Sequence, residues 1–365
     1  MPQPLIRATA AFGLPGKSAP ATLDEDGLAA VQLEGLAGLL WQAVEDGVVT
    51  DGEVIEVIAQ GQSAAMRWAL RLEQRLLEVW VALKEAEVPC RVLKGPAVAH
   101  LDYPVPEWRP FTDIDLLVPG DRLDRAVAVV EAMGGRRIFA EPRPGYAARF
   151  AKAVTIRLDD GPSIDLHRTL AEGPYGQTIV AADLFDQPET FTLAECPVLA
   201  LRPEARFVHA GIHAVLGRPE PELRPLRDLA QIDRRPGLDH DLVLSLARRW
   251  HVEAVLARAV VLVEDLLDVE SPLTGWAWAH RPDRFERRAL PAYHGPQAGY
   301  RRKVVATLPA IDGLRNRARF LAALLIPDRA YLREREGTTG RRLGTALTEW
   351  RRAHHPHGGG RSSRT

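Results

Sequence analysis

Two aspartates alternate with apolar residues in the run Thr112-Asp113-Ile114-Asp115-Leu116-Leu117-Val118, and no other stretch limits the fold as tightly. Its Ile, Leu and Val residues read as a β-strand, and strand side chains alternate between faces. Asp113 and Asp115 therefore point one way, while Ile114 and Leu116 point the other way into a core. Two like charges side by side repel, and they lose hydration when partly buried, so a cation or a set of donors has to answer them. A divalent ion is the usual answer. Mg²⁺ takes one or two carboxylates and completes its shell with water and phosphate oxygens. Taken alone, an Asp-x-Asp pattern is met equally well by a solvated strand end.

Three neighbouring features add weight. Ser163-Ile164-Asp165-Leu166-His167 is a second carboxylate-bearing strand, and pairing it with the first brings a third carboxylate to the same place. His167 shares the face of Asp165 and either points at a substrate or serves as a hydrogen-bonded residue at a strand end. Leu93-Lys94-Gly95-Pro96 marks a strand-to-helix turn. There glycine lets backbone approach a phosphate, the helix start offers free N–H groups, and Lys94 adds a point charge. Pro96 suits the first helical turn. An ordinary turn with an exposed lysine fits the same residues. Arg109, between Trp108 and Pro110, either neutralises phosphate charge or pairs with an acid.

Around these motifs the chain alternates in character. Residues 1–25 carry little periodicity and are expected to be irregular. Apolar residues then recur at helical spacing through Leu28, Val31, Leu36, Leu40 and Val44, and again after Asp51, a candidate N-cap, as far as Leu83. This predicts a helical region over 26–88. Residues 89–175 read as an α/β unit: short strands near 90–93, 112–118, 153–158 and 163–166, with a helix over 121–133 closed by Gly134-Gly135. From 176 to 340 the pattern is mostly helical, with helices expected over 203–216, 223–232, 239–267 and 314–326. Residues 341–365, with His354, His355 and His357, read as a basic low-complexity tail.

With 365 residues, 46% of them hydrophobic, the chain can bury two or three structural units. No apolar run reaches the roughly 20 residues needed to cross a bilayer, so no membrane partner is expected. The N-terminus lacks the basic start and apolar stretch of a signal peptide. Two widely separated cysteines, Cys90 and Cys196, suit a reduced cytoplasmic setting. The net charge of -1 hides an asymmetry: from Trp276 onward 19 Lys+Arg face 7 Asp+Glu, while the rest holds 28 against 41. That basic quarter is either an anion-facing surface or a solvated, arginine-rich helix face.

Val92-Leu93-Lys94-Gly95, Tyr103-Pro104, Arg109-Pro110-Phe111-Thr112-Asp113-Ile114-Asp115-Leu116-Leu117-Val118 and Ile164-Asp165-Leu166-His167 together resemble the uncharacterised nucleotidyltransferase family of the DNA polymerase β-like superfamily. His209-Ala210-Gly211-Ile212-His213 and Leu226-Arg227-Asp228-Leu229-Ala230 resemble the family's later helical region. The resemblance covers roughly residues 50 to 235. It implies an α+β fold, a small mixed β-sheet nucleotidyltransferase core flanked by helical N-terminal and C-terminal regions. It also implies catalysis and Mg²⁺ (or Mn²⁺) binding by Asp113, Asp115 and Asp165, and nucleotide binding by Lys94, Gly95, Arg109 and His167. The expected substrates are a nucleoside triphosphate and an acceptor, with a small molecule, peptide or protein favoured over RNA. Two departures stand out. Lys94-Gly95-Pro96 replaces the superfamily's usual Gly-Gly or Gly-Ser turn, and Glu222-Leu223-Arg224-Pro225 replaces a Trp-rich segment before the late aspartate. His209 and His213 share a helix face and are expected to pack or touch substrate rather than bind metal, while Asp228 is expected to orient an Arg or His. A catalytically inactive binding module and a phosphotransferase using the same triphosphate site are the alternatives.

Overall fold

The computed structural model describes residues 4–17, 25–159, 161–218, 220–294 and 298–333. The expected tail over 341–365 lies outside them. The N-terminal part holds α1 (Pro4–Ala11), α2 (Glu25–Leu33), α3 (Ala37–Glu45) and the long α4 (Gly52–Glu85). Asp51 caps α4 as expected, its carboxylate accepting from the Glu53 and Val54 amides, a contact of about 1 kcal/mol. The segment expected to be irregular contains α1, which is too short to stand alone. Tertiary contacts hold it: Arg7 donates to the Leu266 carbonyl at 2.9 Å, and Arg227 donates to the Ala10 carbonyl at 3.1 Å.

After α4 come β1 (Arg91–Leu93), α5 (Gly95–Asp102), β2 (Ile114–Leu117), α6 (Leu123–Ala132), β3 (Arg136–Arg137), α7 (Ala147–Phe150), β4 (Ala153–Arg157), β5 (Ser163–His167), α8 (Tyr175–Thr178), β6 (Glu189–Leu193) and β7 (Cys196–Ala200). Among the described residues the seven strands form one mixed sheet in the order β3-β4-β5-β2-β1-β7-β6. The β6–β7 hairpin comes from a stretch expected to be mostly helical. Its turn uses Ala194 and Glu195, both at positive φ, without the Gly or Asn that announces such a turn. The helical remainder is α9 (Pro203–Leu216), α10 (Leu223–Asp233), α11 (His240–Arg249), α12 (Glu253–Leu267), α13 (Thr274–Ala279), α14 (Arg284–Ala289), α15 (Tyr300–Ala310) and α16 (Leu314–Leu325). The single helix expected over 239–267 is two, because His251 takes φ +57° between α11 and α12.

Strand alternation sorts the core into two clusters. Val92, Ile114, Leu116, Ile164 and Leu166 pack with α4 and α6. Leu93 and Leu117 face the opposite cluster, with α1 to α3, α5 and α9 to α12. The aspartates share that second face, so the helical segments cover the carboxylates rather than standing apart from them.

A buried ionic knot ties this cover to the sheet. Arg206 on α9 donates to both Asp102 oxygens at the end of α5, at 2.9 and 2.7 Å, and to Glu189 on β6 at 2.8 Å. Arg235, after α10, also meets Asp102 at 3.2 Å and pairs with Glu189. Removing one partner of such a set strands a buried charge, at a cost of about 3–5 kcal/mol. Asp102→Ala is expected to lower the unfolding free energy by that amount in urea titrations, and a change under about 1 kcal/mol would show that the knot contributes little.

Candidate active site

The site begins with strand pairing. β2 and β5 run parallel, with Asp115 opposite Asp165 and Leu117 opposite His167. β1 runs antiparallel to β2, with Leu93 opposite Asp115. The residue after Leu93 is therefore delivered beside the carboxylates. That residue is Lys94, whose backbone adopts φ +44° and ψ −131°, a region costing an L residue about 1–3 kcal/mol. Its Nζ lies 2.8 Å from Asp115 Oδ2. Gly95 opens α5 where a Cβ would stand 3.2 Å from Phe111 Cβ; a side chain there would press on the residue that leads into β2. Trp68 on α4 steadies the same approach, donating to the Thr112 carbonyl at 3.3 Å.

Asp115 is buried, and its other oxygen lies 2.6 Å from His167 Nε2. Burial would raise the Asp115 pKa, but Lys94 first and then His167 hold it well below the usual carboxylate range. Burial pushes the His167 pKa down, against the pull of Asp115. Its Nε2 faces the Asp115 carboxylate, and its Nδ1 lies 3.4 Å from the Thr169 carbonyl. Burial also opposes Lys94's charge, yet Asp115, Asp113 and Asp165 raise its pKa above the ordinary lysine value.

Asp115, Asp165 and His167 each offer a ligand atom, all within 4.8 Å of one another. Asp165 Oδ1 is buried and has no hydrogen-bond partner. Asp113 lies outside this cluster; its exposed side chain lines the mouth of a polar cleft of about 250 Å³. Desolvation within the cleft, and then the Asp115 charge, raise its pKa. Lys94, Gly95, Arg109 and His213 also line this cleft. Arg109 is buried and bound bidentately to Asp228, at 2.9 and 2.7 Å, so Asp228 orients an arginine as expected. Tyr103 Oη donates to the same carboxylate at 3.0 Å.

The structure therefore gathers Asp115, Asp165, His167 and Lys94 at one point, with Gly95, Arg109 and Asp113 along the adjoining wall. Lys152, whose charge acts on Lys94, Asp115 and Asp165, belongs to no motif of the sequence; it precedes β4, which pairs with β5 only once the sheet forms. Arg218 and Arg224 also line the cleft, from a stretch that lacks the aromatic residues of the resembled pattern. His209 and His213, one turn apart on α9, both face the charge of Lys94.

Carboxylates set beside a lysine and an arginine in one cleft suit the handling of a charged substrate. The chain belongs to the family described as uncharacterised nucleotidyltransferase, whose model matches residues 22–268. Membership of that family makes it an enzyme of the nucleotidyltransferase class. The antibiotic-resistance factor ANT(2'')-Ia, in its solution structure, is similar over 54% of this chain and 97% of its own, at 18% identity and a TM-score of 0.35. The lincomycin-bound lincosamide antibiotic adenylyltransferase LnuA is similar over 44% and 96%, at 11% identity and a TM-score of 0.31. An antigenic nucleotidyltransferase-like protein from Paracoccidioides brasiliensis is similar over 56% and 91%, at 15% identity and a TM-score of 0.29. Comparison with curated proteins gave no match.

The histidines set a pH dependence. Burial first, then Lys94 and Lys152, hold His209 and His213 well below the ordinary value of 6.5. The unfolded chain therefore binds protons that the folded chain refuses, so this contribution is full above pH 6.5 and is lost as the pH falls toward the folded-state values. One such histidine accounts for on the order of 1 kcal/mol between pH 7.5 and 5.5. His209→Gln is expected to shrink the loss of unfolding free energy over that interval by this amount, since the other groups are common to both proteins. An equal loss in the two would mean that His209 titrates normally.

Proposed function

We propose that this chain moves a nucleoside monophosphate from a nucleoside triphosphate to an acceptor hydroxyl or phosphate, releasing pyrophosphate. The observation that carries this reading is the buried, unbonded Asp165 Oδ1 beside Asp115. A desolvated carboxylate oxygen is costly without a donor or cation. Mg²⁺ or Mn²⁺ held by Asp115 and Asp165, with Asp113 at the rim, answers it and suits carboxylate oxygens. The ion supplies charge neutralisation for the triphosphate and for the pyrophosphate that leaves.

The chain's own residues do the rest. Lys94 and the first amides of α5 hold phosphate oxygens at the strained turn, and Arg109, braced by Asp228, forms the wall beside them. His167 fixes the direction of Asp115. Asp165 draws the proton from the acceptor as its oxygen attacks the α-phosphorus and the bond to the β-phosphate breaks. The acceptor is a small molecule, a peptide or a protein. The cleft mixes acids with bases, and a nucleic-acid backbone would need a continuous basic track. Among the described residues no helix is long and apolar enough to cross a membrane, and both cysteines are free, which supports a cytoplasmic setting.

Calorimetric titration with each ribonucleoside triphosphate and Mg²⁺ tests the reading. Wild type is expected to bind at least one triphosphate only when metal is present. Asp115→Asn and Asp165→Asn are each expected to weaken that binding at least about tenfold, or about 1.4 kcal/mol. A wild-type protein that binds no triphosphate with Mg²⁺ or Mn²⁺ would sink it.

A further inference from the structure

The charges along the cleft fall into pairs, with one basic residue left over. Lys94 meets Asp115 at 2.8 Å. Arg109 meets Asp228 at 2.7 Å, and Arg218 meets Glu222 at 3.1 Å. Arg224 also lines the cleft, and among the described residues its guanidinium makes no hydrogen bond or ion pair. This is unexpected on local grounds. Asp228 lies four residues along α10, which is the normal distance for an intrahelical partner. Its two oxygens are already taken by Arg109 and Tyr103. Glu222, the other nearby acid, is held by Arg218.

The position is enforced as well as unpaired. Gly35, at φ +71°, lies against the guanidinium: a Cβ there would stand 2.7 Å from Arg224 Nη1. Burial first, and then repulsion from Arg109, lower the Arg224 pKa; an anion seated against it relieves both. Asp228 first, and then Asp113 and Glu222, balance it through space, none of them bonded to it among the described residues.

We infer that Arg224 grips the β- and γ-phosphates of the nucleoside triphosphate, the part that leaves as pyrophosphate. This rests on the nucleotidyl-transfer reading above. Placement in the cleft supports the assignment. Lys94, Asp113, Asp115 and Arg224 line one cleft, Arg224 coming to it from α10 and the carboxylates from the β2 segment. A triphosphate held at Lys94 and the carboxylates therefore has its tail in the same cleft as Arg224. A planar guanidinium with two parallel N–H donors suits phosphate oxygens better than an ammonium does.

The test uses the full chain with Mg²⁺ and calorimetric titration of three probes: the triphosphate that wild type binds best, its monophosphate, and inorganic pyrophosphate. Arg224→Gln is expected to weaken triphosphate and pyrophosphate at least about tenfold while the monophosphate changes less than about twofold, with Arg224→Lys in between. If Arg224→Gln fails to fold, Arg224→Lys carries the test, with a loss of at least about threefold expected for pyrophosphate. Wild-type affinity for pyrophosphate in either folded variant overturns the assignment and leaves the parent reading standing. An equal loss for all three probes also overturns it, because it shows a general disturbance of the cleft. A wild type that binds no triphosphate defeats the parent reading, and this inference falls with it.

Discussion

Asp115 and Asp165 sit directly opposite each other because β2 and β5 run parallel in register, and neighbouring strands lie only about 4.8 Å apart. Two carboxylates at that spacing on a covered sheet face cannot both stay ionised without compensation. The compensation is local to each. Asp115 takes the ammonium of Lys94 and the imidazole of His167. Asp165 keeps a buried oxygen without a partner. The asymmetry matters because the first carboxylate is held fixed by two partners, while the second keeps an oxygen free to meet a cation.

That asymmetry depends on a strained residue. Lys94 reaches Asp115 because its backbone turns through positive φ between β1 and α5. Glycine would adopt this conformation more easily but would bring no ammonium. Lys94 therefore combines the turn and the charge in one position, and the strain is held by the packing around it. Gly95 is pressed against Phe111, and the Val98 amide donates to the Lys94 carbonyl at 2.8 Å.

Much of this was legible in the chain. The alternation in 112–118 and 163–167 announces two strands and the shared face of their polar residues, since side-chain period depends only on local backbone. The lysine-glycine-proline turn is equally local. What stayed hidden depends on long-range contact. His167 meets Asp115 across 52 positions, Arg109 meets Asp228 across 119, and Arg227 holds α1 across 217. The β6–β7 hairpin was missed because Ala194 and Glu195 carry no turn chemistry, and the α11–α12 break because His251 sits at positive φ inside an unbroken apolar pattern. Arg224 lay in a stretch read only as a departure from the resembled pattern, and its significance comes from what its neighbours bind.

Helix α10 shows why the helical segments are part of the site. Arg227 donates to the Ala10 carbonyl and to Gln231 at 3.0 Å, and it stacks over Tyr103 with 5.7 Å between the guanidinium carbon and the ring centre. Gln231 donates to the Asp102 carbonyl at 3.1 Å, and Asp228 holds Arg109 and Tyr103. These bonds fasten α10 to α1, to the end of α5 and to the segment that leads into β2. With the helix held from three directions, a side chain projecting from it is placed as firmly as one on a strand. Buried polar groups of this kind are costly unless satisfied, and along α10 Asp228, Gln231 and the terminal nitrogens of Arg227 find partners in α1, at the end of α5 and in the segment that leads into β2. The geometry of the carboxylate cluster and the position of the helical cover are therefore a single constraint: loosening α10 would move one wall of the cleft away from the sheet that forms the other.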